Sequence, residues 1–297
     1  MNHALTVVGF LHCLTALFEA KAADIGGPEA LVYRTINSRE LKAFVFSPPA
    51  ASLPARSNRP AVLLFHGGAW NLGDASWVFD RAKEFAARGI VAIAVDYRLS
   101  AGGAAPLPIN AGLTPVDSVE DACAAFSWSR SHARQLGINP RRVAGYGVSA
   151  GGHLVAAAAT LPAIRGRTVG KNERPDALVL FSPALNMAKD EYFVSLMGGK
   201  DRPALYSPAE FIGPALPPTL IIQGEEDTIV KASDARAFCS AAKAAGVRCE
   251  LHVYAGVGHL LTRKLKIQYK DFDSDPGFSA EAFRFENTFL KSLGYMK

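Results

Sequence analysis

Several signals are scarce in this chain, and each scarcity excludes something. Charge is sparse and balanced: 20% of the residues are charged, 32 basic and 27 acidic, interspersed along the chain. A net charge of +5 spread in this way forms no basic block, so nucleic-acid binding is not implied. Cysteine is rare. The four residues, Cys13, Cys123, Cys239 and Cys249, stand at irregular spacings that match no zinc pattern. Beyond the first twenty residues no apolar run is long enough to cross a bilayer. Internal repeats are absent as well. What is present is a 49% apolar composition over 297 residues, too rich for disorder and sufficient for one large core. A chain of this size buries about 75% of its unfolded surface.

The N-terminus reads as an address. Residues 1–18, MNHALTVVGFLHCLTALF, are apolar, and Ala20 and Ala22 follow two apart, as a signal peptidase prefers. Cleavage after Ala22 divides the chain into a 1–22 signal peptide and a 23–297 domain, with Ala23 as the alternative site. The n-region is weakly charged, and the competing reading is an N-terminal helix packed on the domain. No cysteine stands where a lipoprotein signal needs one, so the expected protein is exported (periplasmic or extracellular) without a stable membrane anchor.

Export bears on the remaining cysteines. Cys239 lies in a helical pattern that stops at Gly246, and Cys249 opens an alternating strand. A helix running back into an adjacent strand brings two such residues within bridging distance. Two buried free thiols are the alternative.

Past the leader, apolar runs bounded by turn residues alternate with helical stretches. Strands are expected at 61–68, 91–97 and 142–149, and in ALVLFSP, TLIIQGE and ELHVYAG. Helices are expected at 77–89, 116–137 and 279–294, and in the stretch after Ser149. Near-continuous Val, Ile, Leu and Ala strands separated by helices imply a mostly parallel sheet covered on both faces. LVYRT and LKAFVFS alternate and read as antiparallel edge strands. Two stretches, 48–60 and 100–115, are rich in Pro or Gly and read as loops.

The sharpest motif is Gly147-Val148-Ser149-Ala150-Gly151-Gly152, lying between a strand and a helix. A serine on such a tight turn exposes its hydroxyl at the carboxyl edge of the sheet, which makes Ser149 a candidate nucleophile. A serine nucleophile needs a base, and the base needs an orienting acid. His66 begins the HGG segment, His132 and His153 lie in helices, and His252 alternates in a strand. His259 directly follows the last strand, on a loop at the same sheet edge, and is the candidate base. The acid should fall between Ser149 and His259, after a strand. Asp227 qualifies, three residues past Gly224, with Glu225 and Glu226 as competitors. Backbone N–H groups of Ala150 and of the Gly67-Gly68-Ala69 turn are candidates for an oxyanion hole. Trp70 either walls the acyl side or is a core tryptophan.

Taken in order, HGGAW (66–70), DYRL (96–99), GVSAGG (147–152), GEED (224–227) and GVGH (256–259) resemble the α/β-hydrolase carboxylesterases. The chain is similar to the small acetyl, acetylxylan and feruloyl-type esterases over residues 31–297. The resemblance implies an α/β-hydrolase fold with a small lid or none. It also implies Ser149, Asp227 and His259 as the triad, with Gly67, Gly68 and Ala150 at the oxyanion positions. Asp96 and Arg98 match a segment that scaffolds the site from below. The implied activity is hydrolysis of short-chain esters of carbohydrate or phenolic alcohols, on small-molecule or polysaccharide substrates. No metal or organic cofactor is required. HGGA in place of HGGG, and QGEED in place of a DPL-type acid motif, separate the chain from the hormone-sensitive-lipase relatives. HGGAW also fits an arylformamidase pattern. The further rivals are a serine peptidase and a catalytically inactive binding module. Oligomeric state is left open.

Overall fold

A computed structural model describes residues 26–49, 58–100 and 111–297. The expected signal peptide, and most of the two Pro- and Gly-rich loops, lie outside the described residues.

Eight strands make the main sheet. They are β1 (Glu29–Ile36), β2 (Arg39–Phe46), β3 (Arg59–Phe65), β4 (Val91–Val95), β5 (Ile138–Val148), β8 (Leu178–Phe181), β9 (Thr219–Gly224) and β10 (Cys249–Tyr254). A separate hairpin joins β6 (Ala163–Ile164) to β7 (Arg167–Thr168). The sheet order is β1-β2-β4-β3-β5-β8-β9-β10. β1 and β2 pair antiparallel at one end, β2 meets β4 antiparallel, and every other pairing is parallel. This is the expected architecture, a parallel sheet with antiparallel N-terminal edge strands.

The helices are α1 (Phe79–Ala87), α2 (Pro115–Ser131), α3 (Ala133–Leu136), α4 (Ala150–Thr160), α5 (Glu191–Met197), α6 (Ala232–Ala244) and α7 (Pro276–Ser292). The period-2 geometry of β3 divides the core. Leu63 and Phe65 face Val119, Phe126, Leu154 and Phe238 of α2, α4 and α6. Val62 and Leu64 face Phe85, Phe289 and Leu290 of α1 and α7. All eleven residues of α4 are buried, which is why its sequence is apolar on every side.

Several boundaries differ from the sequence reading. The 116–137 pattern is two helices, interrupted at His132, whose ring stacks on Trp128 and whose Nδ1 reaches the Trp128 carbonyl at 3.0 Å. β3 stops at Phe65 rather than running to residue 68, because Gly67 and Gly68 turn beneath Ser149. β4 stops at Val95, after which Arg98 is drawn to α2. β5 begins at Ile138, four residues early, through a pairing with Arg59 that precedes a register shift. α7 begins at Pro276, capped by the Asp275 side chain on the Phe278 N–H at 2.9 Å.

Candidate active site

Ser149 directly follows β5 and caps α4 with φ +52° and ψ −115°. The turn can be this tight because Gly151 lacks a side chain: a Cβ there would stand 2.2 Å from the Phe65 carbonyl oxygen. The helix therefore starts hard against β3, and Ser149 sits at the carboxyl edge of the sheet. The carboxyl ends of β9 and β10 bring Asp227 and His259 to the same edge.

The three side chains form one hydrogen-bonded chain. His259 Nδ1 donates to Asp227 Oδ2 at 2.8 Å, and Ser149 Oγ donates to His259 Nε2 at 3.0 Å. The direction follows from the carboxylate, which only accepts, so the imidazole proton sits on Nδ1 and Nε2 is left to accept. Asp227 is held on every side. Its Oδ1 accepts the N–H groups of Ile229 and Val230, both at 2.9 Å, and its Oδ2 also accepts Gln223 Nε2 at 2.9 Å. The competitors point elsewhere: Glu225 and Glu226 are exposed, and Glu225 pairs with Arg236.

Ala150 is the first residue of α4, so its N–H has no intrahelical acceptor and lies at the positive end of the helix dipole. Gly67 passes close enough that a Cβ there would lie 3.3 Å from Ser149 Cβ. Gly68, at φ +112°, makes the turn, and its carbonyl accepts from Leu72 and Asn71 at 2.9 and 3.1 Å. An amino acid with a Cβ would clash there with the Leu72 carbonyl.

Trp70 is placed as the core alternative. It is 4% exposed, and its indole N–H donates to His153 Nδ1 at 3.0 Å while its ring meets Phe193 edge-on. His153 Nε2 in turn donates to the Tyr206 carbonyl at 2.8 Å. Burial pushes the His153 pKa down to about 4 against a weaker opposing pull from that carbonyl, and burial does the same to His66. Both rings are tied up with core partners, whereas the partners of His259 are the Ser149 hydroxyl and the Asp227 carboxylate. The Ser100 N–H donates to the Trp70 carbonyl at 2.7 Å. Two residues earlier, Arg98 grips Asp121 with Nε at 2.8 Å and Nη2 at 3.0 Å, and Asp117 with Nη1 at 3.0 Å. The DYR segment thus ties the Gly67–Trp70 turn to α2.

A cleft of about 500 Å³ lies between residues 183–191 and 228–234, with no triad residue in its lining. Ala184, whose N–H donates to the Ser149 carbonyl at 3.2 Å, stands at one side, with Asn186, Lys189, Lys231 and Asp234 among the lining. Among the described residues no group of three or more His, Cys, Asp or Glu side chains is arranged to hold a metal ion.

Gln223, Ser182 and Gln268 escaped the sequence reading. Gln223 had a signal, a lone amide in an otherwise apolar strand. Ser182, which accepts the Leu260 N–H at 3.1 Å, and Gln268 had none.

The BD-FAE family model matches residues 51–241, nearly two thirds of the chain. The chain belongs to the BD-FAE family. The dienelactone hydrolase family model also matches residues 208–290, the part that carries Asp227 and His259. The esterase LipU of Mycobacterium tuberculosis is 31% identical over 238 residues, covering 70% of this chain and 72% of that one. The isoprenylcysteine alpha-carbonyl methylesterase ICME of Arabidopsis thaliana is 27% identical over 232 residues, covering 70% of this chain and 52% of its own length. The chain spans about half or less of the length of the first curated relatives it matches. The native esterase Est2 of Thermogutta terrifontis superposes with a TM-score of 0.76 at 28% identity, covering 92% of this chain and 95% of that one. Its propionate-bound form gives 0.77, covering 92% and 97%. The fold is the α/β-hydrolase fold.

Proposed function

We propose that this chain is an exported serine carboxylesterase acting on short acyl esters of bulky polar alcohols. The observation that carries the reading is the continuous chain from Ser149 Oγ through His259 to Asp227 at the carboxyl edge of the sheet. In this mechanism Ser149 attacks the ester carbonyl while His259 Nε2 takes its proton. The resulting charge on the carbonyl oxygen is met by N–H groups of Ala150 and of the Gly67–Gly68 turn. His259 then returns the proton to the leaving alcohol, and Asp227 holds the imidazole throughout. Water, activated by the same histidine, releases the acyl group from Ser149.

Short acyl groups are supported by the modest cover over the site, and by a relative, Est2, with propionate-bound and butyrate-bound forms. A polar alcohol is supported by the polar lining of the cleft between residues 183–191 and 228–234, where Lys189, Lys231 and Asp234 stand. Export is supported by the 1–22 segment and by the joined Cys239 and Cys249, which suit an oxidising compartment.

The test is active-site labelling with a fluorophosphonate, with turnover of an activated acetyl ester measured in parallel. The label should map to Ser149, and Ser149→Ala and His259→Ala should each lower kcat by several orders of magnitude in a folded protein. Near wild-type turnover in Ser149→Ala would sink the assignment, and an unlabelled, inactive wild type would point to a binding module.

A further inference from the structure

Gln268 lies outside the Ser149–His259–Asp227 chain yet touches both loops that carry it. It is 2% exposed, the one buried residue in a run, 263–270, whose other members all face solvent. Its carboxamide uses its full bonding capacity. Oε1 accepts the backbone N–H of His259 at 2.8 Å and of Thr228 at 3.2 Å. Nε2 donates to the carbonyls of Glu226 and Leu265, both at 3.1 Å. Glu226 and Thr228 flank Asp227, so one planar group fixes the peptides on either side of the acid and the peptide of the base. Gly258 leaves the room for it, since a Cβ there would stand 2.4 Å from Gln268 Oε1.

A residue that only tethered its own surface segment would need the bond to Leu265 alone. The other three bonds run to the two loops whose separation sets the 2.8 Å contact between His259 and Asp227. We propose that Gln268 is a positioning residue that holds the acid and base loops in register for proton transfer at Ser149. This rests on the esterase reading above. Misplacement of a reacting group by about 1 Å costs about 10²-fold in rate, so loss of this brace should appear in kcat and not in substrate affinity.

The experiment compares Gln268→Met, similar in length but without strong hydrogen bonds, with the wild type. It follows kcat and KM on an activated acetyl ester, the fluorophosphonate labelling rate, the melting temperature and the downfield proton resonance of the His–Asp hydrogen bond. The expected result is a loss of about 10- to 100-fold in kcat with KM within about twofold. Labelling should slow in parallel, and the downfield resonance should broaden or vanish while the variant remains folded. Unchanged kcat and labelling, or a loss no larger than the unfolded fraction explains, overturns the inference. Should the methionine variant not fold, Gly258→Ala, which crowds the same carboxamide, decides: the same kcat-specific loss supports the brace and an unchanged kcat overturns it. A wild type that neither labels at Ser149 nor turns over ester defeats the esterase reading itself, and the inference with it.

Discussion

The neighbouring carboxylates Glu226 and Asp227 part company in burial: the first is exposed and the second is buried. The Asp227 side chain turns inward to four hydrogen bonds, whereas that of Glu226 stays in solvent. Asp227→Asn should therefore lower kcat by roughly 10³–10⁴-fold, because the amide no longer favours the Nδ1–H tautomer. Glu226→Gln should stay within about twofold of wild type. Steady-state kinetics on one activated ester checks both, and the reverse order would move the acid to Glu226. His153 is a residue-scale case of a different kind. It links the nucleophile helix, the Trp70 turn and the carbonyl of Tyr206, so His153→Phe leaves the buried Trp70 N–H without a partner. The expected cost is about 1–3 kcal/mol in urea unfolding.

At the scale of elements, two contacts stand out for stability. Glu286 on α7 is fully buried, 3.4 Å from Arg81 of α1, and among the described residues neither of its oxygens accepts a hydrogen bond. Burial pushes its pKa up to about 7; Arg81 opposes that rise and Glu84 adds to it. A carboxyl raised in the folded state contributes stability that is full below its unfolded pKa and lost as pH climbs through its folded pKa. The wild type should thus lose stability from this group between about pH 4.5 and 7, on the order of 3 kcal/mol. Glu286→Gln removes that slope. Comparing the two proteins by urea unfolding at pH 5, 6.5 and 8 isolates the group, since other titrations cancel in the difference. A parallel pH dependence of the two proteins would refute it.

The second contact joins α6 to β10 through Cys239 and Cys249, with Cα atoms 5.4 Å apart. The bond closes a loop of 10 residues in sequence separation. Reduction should cost about 2–3 kcal/mol, seen as a lower urea midpoint, while Ser149 labelling of the folded fraction persists. Cys123 is buried and free, and burial holds its thiol well above the ordinary range, so it should stay unreactive until unfolding.

For the whole molecule, the proposed preference for short acyl groups rests on the size of the 186–218 segment. The 186–218 segment contains only α5, of seven residues, and two short 3-10 turns at 203–206 and 208–211. Such a cover cannot enclose a long acyl chain, for which each buried CH₂ contributes about 0.8 kcal/mol. Across p-nitrophenyl esters of rising length, kcat/KM should peak between acetyl and butyryl and fall beyond about six carbons, with no jump on emulsification. An optimum at ten carbons or more, or a jump at the emulsion threshold, would mark a lipase.

What could be read from residues alone follows from locality. The strand–turn–helix around Ser149, the glycines it needs, and the apolar runs that become buried parallel strands are all written in contiguous sequence. The placing of Ser149, Asp227 and His259 on one edge follows once those runs are accepted as a mostly parallel covered sheet, whereas the strand order β1-β2-β4-β3-β5-β8-β9-β10 does not. Tertiary structure alone decided the rest. The role of Trp70 depended on His153 and Phe193 arriving beside it, and the join between Cys239 and Cys249 depended on how α6 returns to β10. The choice of Asp227 over Glu226 turned on backbone N–H groups at Ile229 and Val230. Gln268 sits among lysines in a stretch that reads as surface. Its burial comes only from the meeting of two loops 32 residues apart, Asp227's and His259's, which leaves between them a cluster of backbone donors and carbonyls that only a carboxamide satisfies.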